Sequence, residues 1–282
     1  MKKITASFLL ACPDKTGIVA KIAGFFHLHD VNILSSQNYS EGNTFFMRVV
    51  GDISHLAESR ESLEQSFQVI AQQLDAQWSV QYSDYTPNMA ILVSHEDATL
   101  HELISLQRIG ELNCRIPCIL SNHDKLRSIA EFYDIPFHYL PITDAGKRAQ
   151  EMKIEAILKE AKIDLVVLAR YMQILTPEFC TPRFGKIINI HHGFLPAFQG
   201  AKPYHQAFRR GVKLIGATAH YVTAELDQGP IIEQDVIRVS HQHSVRQLIN
   251  LGRDVERRVL ARAVKLHLEH RILIHKQKTI IF

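Results

Sequence analysis

Leu165-Val166-Val167-Leu168 is a short, continuous apolar run, and its reading decides the fold. A strand with one wet face alternates apolar and polar side chains. An unbroken apolar run this short fits a strand covered on both faces, as in a parallel sheet. Ala90-Ile91-Leu92-Val93 and Ile116-Pro117-Cys118-Ile119-Leu120 have the same character. Helical patterns over residues 100–112, 125–133 and 146–161 separate these runs, and residues 186–190 read as a further strand. The alternation predicts a doubly wound α/β domain with a mostly parallel sheet. Beyond Gly229-Pro230 come a strand over 231–239 and a long helix marked by Val245, Leu248, Val255, Val259 and Ala263. Two short β-like runs, Ile272-Leu273-Ile274 and Thr279-Ile280-Ile281, close the chain. With no Gly-x-Gly-x-x-Gly and no Walker motif, a nucleotide cofactor is not expected.

Upstream the order changes. Residues 4–11 form an apolar run ending at Cys12-Pro13-Asp14, where Asp14 is placed to cap a helix over 15–28. Ile18, Ile22 and Phe26 recur every four residues there and form one buried face. Residues 31–40 and 43–50 read as strands around Glu41-Gly42, 55–74 as a second amphipathic helix and 77–82 as a fourth strand. The order βαββαβ is the ferredoxin-like pattern. Ser83-Asp84-Tyr85-Thr86-Pro87-Asn88 is polar and ends in Pro-Asn. The expected division is therefore a domain over 1–83, a linker over 84–88 and a second domain over 89–282.

Composition narrows the function. The chain has 282 residues, enough for two cores, and no apolar run approaches the roughly 20 residues that cross a bilayer. Met1-Lys2-Lys3-Ile4-Thr5 starts like a signal peptide. The apolar stretch stops at Ala11, and no small-residue cleavage site follows, so a cytoplasmic protein is expected. Cys12, Cys114, Cys118 and Cys180 are too scattered for a disulfide framework and read as buried thiols. Residues 1–82 carry 6 Lys+Arg against 8 Asp+Glu, and the remainder 26 against 21. This mild basic bias suits an anionic small substrate and falls short of a nucleic-acid surface. His27/His29 and His241/His243 have no nearby third ligand, so no metal site is expected.

Two stretches bear chemistry. In Asn189-Ile190-His191-His192-Gly193-Phe194-Leu195-Pro196, strand alternation turns Asn189 and His191 to the same face, at the carboxyl end of a parallel strand. An amide donor beside an imidazole suits attack on a carbonyl: one stabilises an oxyanion, the other supplies a proton. A bare Asn-x-His is better explained by two polar residues that end a strand and are satisfied locally. In Ala219-His220-Tyr221-Val222-Thr223-Ala224-Glu225-Leu226-Asp227-Gln228-Gly229-Pro230-Ile231-Ile232, Asp227 precedes a Gly-Pro turn. There a carboxylate could orient a water, although Asp favours turns in any case. His192, His205 and His220 are expected behind the reacting groups more than against substrate. Arg257-Arg258, with Arg253 and Arg262, reads as a solvated or interface helix face.

Taken together, Asn-x-His-x-x-x-Leu-Pro and Asp-x-Gly-Pro-Ile-Ile resemble the folate-dependent formyltransferase family. Ala169-Arg170-Tyr171-Met172-Gln173-Ile174-Leu175 is similar to the segment that walls that family's pterin pocket. Ala197-Phe198, Gly200-Ala201-Lys202-Pro203-Tyr204-His205-Gln206-Ala207-Phe208, residues 213–222 and residues 252–263 resemble its deformylase branch. Cys12-Pro13-Asp14-Lys15-Thr16-Gly17-Ile18-Val19-Ala20 and Val31-Asn32-Ile33 are similar to the ACT domains that this branch carries. The resemblance implies hydrolysis of 10-formyltetrahydrofolate to formate and tetrahydrofolate, supplying formate for purine synthesis. It implies catalysis by Asn189, His191 and Asp227, with substrate contacts from Arg170, Met172, Gln173, Ile174, Leu175, Val222, Thr223 and Glu225. It further implies an amino-acid effector near Asp14, Gly17 and Asn32, a homo-oligomer, and no cofactor beyond the folate substrate and water. Gly193 stands where the family often has a hydroxyl residue. Ser94-His95-Glu96-Asp97-Ala98-Thr99 lacks the Lys and His-Cys pair expected of the branch, and also the Gly-Ser-Asn phosphate cradle of glycinamide ribonucleotide formyltransferase.

Overall fold

The computed structural model of the chain describes residues 3–143, 146–197 and 203–282. Met1, Lys2, Phe198 and Gly200-Ala201-Lys202, all quoted above, lie outside the described residues. The chain divides into two compact units, the first running to Thr86 and including His270–Leu273 and Ile280–Phe282. The second comprises Pro87–Glu269 and Ile274–Thr279.

The first unit contains β1 (Thr5–Pro13), α1 (Ile18–Leu28), β2 (Asn32–Glu41), β3 (Thr44–Asp52), α2 (Arg60–Leu74) and β4 (Gln77–Tyr82). Its antiparallel sheet has the order β2-β3-β1-β4. Ala6, Phe8 and Leu10 of β1 alternate onto one face, where Ile22 and Phe26 of α1 and Leu63 and Phe67 of α2 cover them. The Phe8 ring meets Phe26 edge-on at 5.3 Å and Phe67 at 4.7 Å, so three aromatics close this core. Two helix starts differ from the sequence reading. Asp14 caps nothing: α1 begins after Gly17, whose φ of 87° breaks the strand-to-helix path, and no side chain caps it. The second helix begins at Arg60 instead of residue 55, because the Ser59 side chain accepts the Ser62 N–H.

The second unit contains β5 (Asn88–Val93), α3 (Ala98–Arg108), β6 (Arg115–Ser121), α4 (Arg127–Phe132), β7 (Phe137–Tyr139), α5 (Gly146–Glu160) and β8 (Leu165–Leu168). It continues through α6 (Pro177–Cys180), β9 (Ile187–His191), α7 (Pro203–Arg210), β10 (Leu214–Tyr221), β11 (Ile231–Arg238) and α8 (Val245–Leu268). A hairpin of β12 (Ile272–His275) and β13 (Lys278–Ile281) ends the chain. The large sheet has the order β11-β10-β9-β8-β5-β6-β7. Strands β9, β8, β5, β6 and β7 run parallel, while β10 and β11 are antiparallel to their neighbours. All four residues of β8 are buried, as its apolar run requires. Strand order reverses between β5 and β8, the place where open α/β sheets bind ligands. β10 pairs in straight register with β9, but its pairing with β11 slips by one residue between Ala219 and His220, a bulge. Ser244 and Gln247 form a capping box at the start of α8.

His270, in the first unit, follows α8 with a φ of 51°. Burial pushes its imidazole down to about 4, although Ser79 hydrogen-bonds it. An unfolded imidazole takes up its proton near about 6.5. Between these values acid therefore favours the unfolded chain. Unfolding followed by the fluorescence of Trp78, the single tryptophan, should show stability falling from pH 7 to 4, by on the order of 2–3 kcal/mol from this group. His270→Asn, which tolerates the left-handed backbone, should flatten that slope; an unchanged slope would exclude His270 as its source.

Candidate active site

Asn189 and His191 lie two residues apart on β9 and share a face. On the adjacent strand β10, His220 is the cross-strand partner of Asn189. The His220 Nδ1–H donates to the Tyr221 carbonyl at 2.9 Å, and its Nε2 lies 3.2 Å from the Asn189 amide nitrogen. Asp227 arrives on the connection between β10 and β11. Its Oδ2 lies 3.2 Å from His191 Nδ1, and its Oδ1 lies 3.6 Å from His220 Nε2. The His191 Nε2 is buried with no hydrogen-bond partner among the described residues.

Backbone geometry explains the Asp-x-Gly-Pro spacing. Asp227 has a φ of 57°, a conformation that Asp tolerates better than most residues. Two residues on, a Cβ at Gly229 would stand 1.6 Å from the Tyr221 carbonyl oxygen. Only glycine lets the loop pass this close to β10. Beyond His191 the chain is held by a buried network. The Thr218 hydroxyl donates to the Gly193 carbonyl at 2.9 Å and accepts from the Leu195 N–H at 3.0 Å and from Gln234 at 2.9 Å. Gly193 thus takes its bond through its backbone.

Asn189, His191, His220 and Asp227 line one cavity of about 610 Å³, a size suited to a cofactor-sized ligand. Arg170, Met172, Gln173, Ile174, Leu175, Val222, Thr223 and Glu225 lie on its wall with Asn189, His191 and Asp227. Met172 and Ile174 are 55% and 61% exposed, an apolar rim available to a ligand. The Met172 N–H donates to Ser94 Oγ at 3.0 Å, and that hydroxyl donates to Asn122 at 2.6 Å, which ties the rim to the loop after β5. His192, His205 and His220, expected behind the reacting groups, all line the cavity. So do Glu96, Tyr204, Arg253 and Glu256, which the sequence reading did not place there. Arg253 leaves the solvated helix face assigned to it and pairs with Glu96 at 2.8 Å. Arg258 and Arg262 stay exposed and reach Asp235, while Arg257, partly buried, reaches Asp254.

Burial pushes the Asp227 carboxyl up, but the pull of His191 and His220 prevails and holds it below the ordinary carboxylate range. Burial, with Arg170 nearby, lowers His192 to about 3, so its ring is neutral in use. Among the described residues, no group of three or more His, Cys, Asp or Glu side chains is arranged to hold a metal. Nor is any helix there long and apolar enough to cross a membrane. In the first unit, Asp14, Gly17 and Asn32 are all exposed, and a Cβ on Gly17 would meet nothing within 4 Å.

Comparison with known proteins gives consistent matches. The family described as formyl transferase matches residues 87–264, and the ACT domain matches residues 7–68. A formyltetrahydrofolate deformylase of Synechocystis sp. is 51% identical, covering 100% of both chains. One from Bacillus subtilis is 47% identical over 97% of this chain and 92% of its own. The crystal structure of a formyltetrahydrofolate deformylase from Pseudomonas syringae pv. tomato superposes with a TM-score of 0.97 at 43% identity, covering 100% of this chain and 95% of that one.

Gly229→Ala should move the Asp227 loop away from His191. A displacement of about 1 Å at such a site costs roughly 10²-fold in turnover. A variant that stays folded by circular dichroism and turns over at the wild-type rate would show that the close approach at Gly229 does not position Asp227.

Proposed function

The chain belongs to the formyltetrahydrofolate deformylases, and on that premise we propose how its cavity hydrolyses 10-formyltetrahydrofolate to formate and tetrahydrofolate. One observation carries the reading: His191 lines the cavity, with Nδ1 at 3.2 Å from Asp227 and Nε2 without a protein partner among the described residues. An imidazole fixed by a carboxylate on one nitrogen and unpartnered on the other has a nitrogen left to exchange a proton with a reacting group.

The pterin lies against Met172, Ile174 and Leu175, with Gln173, Val222, Thr223 and Glu225 bordering it and the formyl oxygen turned to Asn189 and His191. Water, held by Asp227, attacks the formyl carbon. The new C–O bond forms as the carbonyl pair moves to oxygen, and the water's proton passes to Asp227. A carboxylate below its ordinary range is a weak base, but it suffices because the water becomes strongly acidic as it bonds to carbon. The Asn189 amide and protonated His191 stabilise the oxyanion. As the C–N bond breaks, His191 delivers its Nε2 proton to N10, an arylamine nitrogen that cannot leave as an anion. The Asp227 proton then returns to His191, and formic acid sheds its proton to solvent. No metal or redox cofactor enters these steps.

Transfer to an amine is the second reading. A phosphorylated amine needs an anion cradle, and the loop after β5 instead brings the Glu96 carboxylate to the cavity wall. Water is therefore the acceptor. The formate serves purine synthesis and the balance of one-carbon pools. Free, buried thiols fit a place in the cytoplasm. The first unit assembles a homo-oligomer and takes an amino-acid effector at Asp14, Gly17 and Asn32. Gly17 starts α1, whose free N–H groups suit a carboxylate.

Formate release from 10-formyltetrahydrofolate, without any amine and in the presence of a chelator, tests the reaction. Asp227→Asn, His191→Ala and Asn189→Ala should each lower kcat by about 10²–10³-fold with smaller changes in KM, because each group acts mainly on transition-state charge. Wild-type kcat in Asp227→Asn would refute the assignment. For the effector, calorimetry with each of the twenty amino acids should find one that binds the full-length protein and is lost in Gly17→Val. Binding that survives this substitution would move the effector elsewhere.

A further inference from the structure

Arg170 follows β8 at the reversal of strand order, and it lines the cavity. Its φ is 63°. Among the described residues, the other left-handed non-glycine positions follow helices or sit in the β12–β13 turn, except Asp227. The two such residues on the cavity wall are thus Asp227, which serves the chemistry, and Arg170. Strained backbone of this kind persists where the surroundings hold it for a purpose.

The guanidinium is poorly satisfied. Its side chain is 17% exposed, and Nε and Nη1 are buried with no hydrogen-bond partner among the described residues. Glu256 is the nearest carboxylate, with Oε2 3.5 Å from Nε, too long for a hydrogen bond. Its other oxygen is taken by the Tyr204 hydroxyl. Burial pushes the Glu256 carboxyl up against the pull of Arg170. Tyr204 reaches Glu256 over Gly252, where a Cβ would stand 2.1 Å from the hydroxyl oxygen. The remaining neighbour, His192, carries no charge and lies with its ring 5.4 Å from that of His191. A buried cation whose carboxylate neighbour stands beyond hydrogen-bond reach is costly, and a group that completes it binds with charge-assisted hydrogen bonds.

We propose that Arg170 is the receptor for the small carboxylate made in the reaction, formate, which passes from the Asn189–His191–Asp227 centre into a chamber walled by Arg170, His192, Tyr204 and Glu256. The proposal rests on the hydrolytic reading above, since only hydrolysis makes formate here. A glutamyl tail of the folate offers the same carboxylate chemistry. Formate fits better because the Arg170 side chain is only 17% exposed, which a small anion reaches more readily than a chain that must run outward. Arg170 then holds product apart from N10 and opposes its return to the tetrahedral centre.

The test is product inhibition, each variant being normalised to its own uninhibited rate. Arg170→Asn suits the left-handed backbone, and Arg170→Lys keeps the charge in a conformation that Lys162 and Lys276 already adopt. The formate inhibition constant should rise at least ~10-fold in Arg170→Asn and less in Arg170→Lys, with tetrahydrofolate inhibition moving by less than ~3-fold in both. An unchanged formate constant in Arg170→Asn, or equal losses in Asn and Lys, would overturn the receptor role. A KM that rises in Arg170→Asn for 10-formyltetrahydrofolate but not for its analogue without glutamate would give the residue to the tail. Binding of 13C-formate to the tetrahydrofolate-loaded protein, read by NMR, separates the two readings. A wild type that binds formate but releases none from substrate would sink the hydrolase and leave the receptor.

Discussion

The Asp227 carboxylate sits between two imidazoles with 11% of its side chain exposed. A charge that buried is tolerable only if its partners stand in fixed positions. The second unit provides this by spreading the partners over rigid elements. His191 and Asn189 come from one strand, His220 from the next, and the β9–β10 register sets Asn189 opposite His220. The carboxylate itself comes from a loop, and that loop is pinned at Gly229, where backbone meets backbone with no room for a side chain. The short polar contacts around Thr218, Leu195 and Gln234 serve the same end one layer further out, by fixing the chain that leaves His191.

What could be read from the sequence was local or periodic. The buried run of β8 and the alternation of strands with helices led to the sheet, and the alternation of Asn189 and His191 led to their shared face. Helix starts were less legible. Asp14 looks like a cap, but a glycine with positive φ intervenes before α1, and Ser59 fixes a later start for α2 than the apolar pattern implies. β7 spans three residues and α7 eight, too short for periodicity to register. The far side of the cavity was hidden for another reason. Glu96 and Arg253 are 157 residues apart, and Tyr204 and Glu256 are 52 apart. Each looks like an ordinary surface or helix residue until the sheet and α8 bring the pairs together. Nothing in the sequence separates Arg253 from its helix neighbours Arg257, Arg258 and Arg262.

The two units solve different packing problems. The first buries a cluster of aromatic rings between two helices and one sheet face. The second buries its parallel strands on both faces and places its polar residues where strand order reverses and where antiparallel strands join the parallel ones. Left-handed backbone follows this division. Where it serves the fold, it ends helices and turns; at Arg170 and Asp227 it aims side chains into the cavity.

The bulge between Ala219 and His220 acts as a slip joint. On one side β10 is locked to β9, and that lock sets the spacing of Asn189 and His220. On the other side the extra residue lets β11 run in its own register. The skipped residue, Ile232, falls on β11, so the irregularity is carried by the outer strand and the β9–β10 register that sets Asn189 opposite His220 runs unbroken.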